Sequence, residues 1–271
     1  MTMEITWYGT AALVLREGDA AIAFDPFCGM PLEAPGQGDA LPFAEELRGV
    51  REVFITHGHF DHILHIPQLY KDVPLTLRCT KTPRETLIRE GVPAENIREI
   101  CPGTVEQAGP FTVTAYQGRH CKFDLPLIFK TIFCGRFFRH LPRAIRLMQA
   151  LLRYPENGEI LFYEVLCGGM RVQVMGSLNL SEDVEYPTGA DLLILPFQGR
   201  SDLDIYGLRL VRQLRPKAVL LDHWDDAFPP LSDTVKTENF EKILWEREGI
   251  PCRSMVKGGK NEYGEEKETL G

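Results

Sequence analysis

The sequence predicts an α+β chain in which sheets pack against one another and helices lie outside them. Two observations carry that expectation. Short apolar, β-branched runs dominate the chain, and helical spacing enters only after several of them. In addition, no Pro-, Gly- or Ser-rich linker separates two parts, so residues 1–271 read as one domain. With 44% hydrophobic and 25% charged residues, the composition is that of a globular protein with a sizeable core.

The elements follow in order. Ile5–Tyr8, Ala11–Arg16 and, after the turn Glu17-Gly18-Asp19, Ala20–Phe24 read as paired strands. Residues 25–38 are rich in Pro and Gly and read as a loop, and Ala40–Leu47 as a short helix. Glu52–Thr56 reads as a buried strand, Leu75–Cys79 as another, and Pro83–Glu90 as a helix stopped by Gly91. Further strands are expected at Phe111–Tyr116, Ile160–Leu166, Arg171–Met175, Leu192–Pro196 and Ala218–Leu221, with a glycine turn at Gly168-Gly169. Leu203–Leu214 and Val235–Glu248 have helical spacing. The Gly- and charge-rich stretch 257–271 reads as a frayed tail.

Composition excludes several classes. The N-terminal segment has no basic leader before an apolar block, and no apolar run reaches the roughly 20 residues that span a bilayer, so a cytoplasmic protein is expected. Seven scattered cysteines without a CxxC pair argue for free thiols rather than disulfides or a thiolate metal site. From Arg119 to Arg153 eight Lys or Arg face one acid, a local +7; the net charge is −8, so the remaining residues carry −15. An acidic chain with one basic stretch lacks the broad footprint of a nucleic-acid binder, and no nucleic-acid partner is expected.

The chemistry concentrates in Thr56-His57-Gly58-His59-Phe60-Asp61-His62, directly after a buried strand. Four potential ligands within six residues, where the chain leaves a sheet, are poor elements of a fold and good ligands for zinc, iron or manganese. A loop lets His57 and His59 converge on one ion while Asp61 and His62 face a neighbouring one. Gly58 is expected to relieve the backbone along this course.

The HxHxDH pattern of His57, His59, Asp61 and His62 resembles the signature of the metallo-β-lactamase superfamily. Gly118-Arg119-His120 looks like that family's third histidine of the first metal site, and Asp222-His223-Trp224-Asp225 like the last histidine, of the second site. Asp25-Pro26 resembles the aspartate that buttresses the ligand loop. The likeness spans about residues 4 to 255. WYGTAALVLREGDAAIAFDPF and GADLLILPFQGR are most similar to the branch of ascorbate-6-phosphate lactonase and other stand-alone hydrolases. The resemblance implies a four-layer αββα sandwich with the metals at one edge. It also implies hydrolysis by water activated on one or two divalent ions, with Asp61 as ligand, base or both.

One landmark departs from the family pattern: Ser177 in Met175-Gly176-Ser177 stands where an aspartate usually bridges two metals. One metal, recruitment of Asp183, or a contact of Ser177 with metal or its water are the alternatives this leaves. A non-catalytic metal-binding sensor or scaffold is the rival reading. A di-iron oxygen or nitric-oxide reductase is a further one, opposed by His59, where those proteins resemble HxExDH, and by the short chain, since they need a flavin partner domain. His65 and His140 read as supporting or surface residues, and Asp124 and Asp225 as surface acids or neighbours of the ligands.

Residues 123–154 read as an insertion between family landmarks, with a helix starting at Pro142. On a helical wheel Arg139, Arg143, Arg146 and Arg153 share one side, and Leu141, Ala144, Leu147, Met148, Leu151 and Leu152 the other. The segment reads either as a surface helix with its apolar face on the sandwich and its arginines in water, or as a cap over the site, with Arg139, Arg143 and Arg146 meeting a small anionic, partly apolar substrate (an ester, lactone or phosphodiester) or a lipid surface. Sequence alone sets no oligomeric state.

Overall fold

A computed structural model of the chain describes residues 2–27, 47–127 and 135–264. Most of the expected loop 25–38 and helix 40–47 lies outside them. Among the described residues, strands run in chain order as β1 (Thr2–Gly9), β2 (Ala12–Glu17), β3 (Ala20–Phe24), β4 (Glu52–Phe54), β5 (Thr76–Cys79) and β6 (Ile97–Glu99). They continue as β7 (Val105–Ala108), β8 (Phe111–Gln117), β9 (Leu161–Cys167), β10 (Met170–Met175), β11 (Leu192–Pro196), β12 (Val219–Asp222), β13 (Cys252–Ser254) and β14 (Lys260–Gly264). Strands β1 to β6 form one seven-stranded sheet with β14 at its edge, and β7 to β13 form a second.

Side-chain alternation turns these sheets into four layers. Leu13 and Leu15 of β2 point into a core shared with Val113, Tyr163, Val174 and Ile194 of the second sheet. Their neighbours Ala12 and Val14 face the opposite side, where helices α1 (Phe60–Ile63), α2 (Ile66–Asp72) and α3 (Lys81–Arg89) cover the first sheet. On the second sheet Leu193, Leu195, Val219 and Leu221 pack outward against α6 (Leu203–Leu214) and α7 (Glu238–Glu248). Strands β3, β11 and β12, each paired in parallel with a neighbour, are buried on both faces, which explains their nearly unbroken apolar runs. The insertion forms α4 (Arg136–Arg139) and α5 (Leu141–Arg153).

The expected frayed tail is corrected for Lys260–Gly264, while 265–271 lie outside the described residues. Lys260–Gly264 pairs antiparallel with β1, Asn261 Nδ2 donates to the Ile5 carbonyl at 3.1 Å, and Lys260 meets Glu4 at 3.0 Å. An open β1 edge would leave a row of unpaired backbone groups, and pairing them outweighs the polar composition of this segment. Helix α7 begins at Glu238 rather than Val235, whose amide donates to Trp224 O at 2.7 Å. Strands β6, β7 and β13 escape sequence patterning: each has three or four residues and depends on its neighbours.

His65 is buried against Phe27, with ring centroids 5.1 Å apart, so a surface role is excluded. Burial lowers its pKa to about 4, against an ordinary value of 6.5. The unfolded chain therefore takes a proton here at a pH where the folded chain does not, and stability falls as pH drops from 6.5 towards 4. The metal-free protein should lose roughly 2 kcal/mol between pH 7 and pH 5 through this residue. In urea titrations at the two pH values, His65→Asn should shrink the pH-dependent loss by about that amount. An unchanged loss would mean the residue is not held neutral.

Candidate metal centre

The site begins with a buried carboxylate. Asp25 follows β3 with φ +43°, and its own amide donates to Phe54 O at 3.2 Å. Its oxygens accept the Thr56 amide at 2.8 Å and the Thr56 hydroxyl at 2.6 Å, and meet His62 Nδ1 at 2.9 Å. The Thr56 proton is committed to Asp25, so at 3.0 Å His57 Nδ1 must be the donor to the Thr56 oxygen. His62 Nδ1 likewise donates to the carboxylate, and His120 Nδ1 donates to Cys121 O at 2.8 Å. Three histidines thus spend their Nδ1 protons on the protein, which leaves Nε2 as the nitrogen turned to an ion.

The donor atoms of His57, His59 and His120 lie within 4.8 Å of one another, as do those of Asp61, His62 and His223. His57 Nε2 is 3.1 Å from His59 Nδ1. Burial, followed by the charges of His62, His59, His120 and His223, holds the His57 pKa well below its ordinary value. Burial brings His59 to about 4, partly opposed by Asp61. Burial alone would raise Asp61, yet His62, His223 and His59 hold its carboxyl far below the usual range. For His223 burial works downward, but the bond to Asp61 at 3.3 Å and the surrounding carboxylates raise it. Imidazole nitrogens and one ionised carboxylate, converging and mostly buried, fit a zinc, manganese or iron ion.

His223 arrives from the second sheet. It follows β12 with φ +53°, and its amide donates to Thr10 O at 2.8 Å. Trp7 Nε1 donates to the same carbonyl at 2.7 Å, and Asp225 accepts the Thr10 amide at 3.0 Å. The turn between β1 and β2 therefore pins the ligand at the end of β12, and Trp7 stacks on Trp224 at 5.5 Å. Asp225 acts through Thr10 and not as a surface acid. Asp222 is fully buried, and burial lifts its carboxyl to about 8, which keeps it neutral at pH 7.

Two glycines make close approaches possible. A Cβ on Gly58 would sit 2.4 Å from Pro155 O, so its role is proximity to the chain leaving α5; its φ is not positive, and the expected backbone relief is not the reason. A Cβ on Gly176 would meet Thr56 Cβ at 2.5 Å and Leu161 O at 2.6 Å, where the two sheets touch beneath the ligand loop.

Ser177 turns its oxygen to the loop of His120, accepting the Cys121 amide at 2.9 Å. Asn179 Nδ2 donates to His120 O at 3.1 Å, and the Tyr186 hydroxyl donates to Gln117 O. Thr56, Thr10, Asn179 and Tyr186 carry no ligand chemistry of their own, and of these only Thr56 has a sequence signal, its place directly before the motif. Asp183 is exposed and belongs to neither donor group. Asp124 is tied to Ser201 and the Leu127 amide. His140 is partly exposed, and its carbonyl accepts the first amides of α5. The five described cysteines 79, 101, 121, 167 and 252 are unpaired.

Beside His120 opens a cleft of about 530 Å³, lined by residues that include Arg119, Lys122, Glu156 and Ser181. Arg139, Arg143 and Arg146 are not among its lining residues. The cations lining this cleft are Arg119 and Lys122.

Two substitutions test the geometry. Thr56→Val removes the acceptor of His57 and a donor to Asp25, and should weaken metal affinity about 10- to 100-fold in a chelator competition. Unchanged affinity would show that the hydroxyl does not orient the ligand. Ser177→Asp keeps an acceptor for the Cys121 amide and adds a carboxylate; metal analysis should find the second donor group more fully occupied. Unchanged stoichiometry would place Ser177 away from the ions.

Comparison with known proteins agrees with this geometry. Residues 21–224 match the model of the beta-lactamase superfamily domain. A UPF0173 metal-dependent hydrolase of Anaeromyxobacter sp. (strain K) is 33% identical over 121 residues, 43% of this chain and 42% of that protein. The aligned stretch thus spans less than half the length of that relative. Among solved structures, the metallo hydrolase Igni18 of the archaeon Ignicoccus hospitalis superposes with TM-score 0.66 at 16% identity, covering 98% of this chain and all of that one. An isothiocyanate hydrolase from Delia radicum gut bacteria superposes with TM-score 0.60 at 15% identity, covering 96% and 98%. The family match covers three quarters of the chain and the solved structures share its sandwich: the chain belongs to the beta-lactamase superfamily.

Proposed function

We propose that the chain is a metal-dependent hydrolase acting on a small anionic, partly apolar ester, lactone or phosphodiester. The observation that carries the reading is the set of imidazoles whose Nδ1 protons are tied to protein acceptors while their other nitrogens converge beside the ionised Asp61. His57, His59 and His120 would hold one divalent ion, and Asp61, His62 and His223 a second; zinc, manganese and iron suit the donors. When bound, such an ion makes water more acidic and withdraws charge from the scissile group.

The chain's own residues do the rest. Asp61 stays ionised among three histidines, so its carboxylate can accept a hydrogen bond from the attacking water and orient it. Arg119 and Lys122 in the cleft offer positive charge to an anionic substrate beside His120, and Phe123, whose ring lies 6.4 Å from that of His120, offers an apolar contact. Relatives carrying the name metal-dependent hydrolase support the reaction class. The substrate class rests on the cleft, since fold alone selects no substrate.

The test is turnover of bis-p-nitrophenyl phosphate and of a simple lactone by protein purified without chelator, which should hold one to two equivalents of metal. Chelation should abolish turnover, and replacing both His57 and His59 by Ala should remove metal and activity together. Asp61→Asn should lower kcat by about 10²-fold or more while the first donor group keeps its ion. Arg119→Gln with Lys122→Gln should raise KM for the anionic substrate and leave the neutral one unaffected. A fully loaded protein that turns over neither compound would favour the metal-binding scaffold.

A further inference from the structure

Helix α5 carries an apolar arc wider than its contact with the sandwich. Ala144 is buried, and Leu147, Ala150 and Leu151 pack on the core of the first sheet's outer face, next to α1. Leu141, Ile145, Met148 and Leu152 point the other way and are 45%, 49%, 51% and 79% exposed. At 100° per residue these four fall within a sector of about 60°, a continuous stripe along three turns of outward-facing helix. The sequence reading placed Leu141, Met148 and Leu152 with Leu147 and Leu151 on one side; the structure splits that side into a covered half and an uncovered half. Phe138 at 66%, Phe123 at 60% and Leu125 at 68% add apolar surface elsewhere in the same segment.

The charged residues of α4 and α5 are all arginines, of which Arg153 is paired with Glu90 at 2.6 Å. Arg146 and Arg153 lie on its polar flank, and Arg139 stands exposed in the short helix before it. The segment from Arg119 to Arg153 carries +7 within a chain of net −8. Long cationic side chains bordering an apolar stripe suit a surface that offers hydrocarbon at one depth and anions just above it. A water-facing helix gains nothing from four aligned large apolar residues, and a second copy of a chain whose other residues sum to −15 would offer no hydrocarbon layer.

We propose that the outward face of α5 docks on an anionic lipid bilayer, with Leu141, Ile145, Met148 and Leu152 at the acyl boundary and Arg139 and Arg146 at the headgroups. No helix among the described residues is long and apolar enough to cross a membrane, so the contact is peripheral. The site lies close by: the carbonyl of Pro155, two residues after α5, touches Gly58 of the ligand loop. Docking is independent of the hydrolysis reading and is measured without turnover.

The experiment is flotation of the metal-loaded full chain with vesicles of phosphatidylcholine alone or mixed with phosphatidylglycerol, at low and at raised salt. The chain should float with the mixed vesicles and not with the neutral ones, and less at raised salt. Ile145→Glu with Leu152→Glu, and separately Arg139→Gln with Arg146→Gln, should each weaken partitioning about tenfold or more. The stripe positions are exposed, so circular dichroism and metal content should not change in the Glu pair. Failure of the wild type to float would overturn the proposal, as would undiminished flotation of both variants. A dimer in light scattering that the Glu pair dissociates, without flotation, would assign the stripe to a second copy instead.

Discussion

The centre depends on one hydrogen-bonded knot, the Asp25 carboxylate with Thr56 and His62. A buried carboxylate is costly unless it is bonded, and three donors from the ligand loop offset that cost here. The same three bonds fix the course of the chain after β4 and set the ring orientation of two histidines. Ligand geometry is therefore a consequence of folding rather than of metal binding. The cation then meets nitrogens already aimed at it, and little ordering remains to oppose its affinity.

A second constraint joins the sheets at this edge. Thr10, Asp25 and His223 all adopt left-handed backbone conformations, unusual above all for a β-branched residue such as Thr10. Each is overdetermined by its neighbours: the Thr10 carbonyl accepts from both Trp7 and His223, and its amide is held by Asp225. Gly176 lets the second sheet approach Thr56 closely enough for the Leu161 amide to donate to Thr56 O at 2.8 Å. The two donor groups come from both sheets, so neither sheet alone could assemble them.

Much of this was legible in the sequence, for identifiable reasons. His57, His59, Asp61 and His62 stand out because ligand types crowd into a few residues after an apolar strand. Sheets packed together with helices outside follow from apolar runs such as β11 and β12 with helical spacing entering after several of them, whereas the four layers came only with the family resemblance of the histidine motif. What stayed hidden depends on tertiary neighbours. Strand β14 is polar and becomes a strand only because β1 needs an edge partner. Gly58 reads as a flexible link until Pro155 is seen against it. Thr56 has no ligand chemistry, and its part is visible only when Asp25 lies 2.6 Å away. The wheel of α5 gives the apolar arc but not how much of it the sandwich covers.

The central claim is that the protein commits the Nδ1 protons of His57, His62 and His120 before any ion arrives. Long-range nitrogen–proton correlation spectra of the imidazoles, recorded on metal-free and zinc-loaded protein near pH 7.5, test it most directly. The account predicts Nδ1–H tautomers at all three residues in both states, with only Nε2 shifting on loading. Nε2–H tautomers at His57 or His62 in the metal-free protein would contradict it, because the knot around Asp25 would then not be setting the ligands.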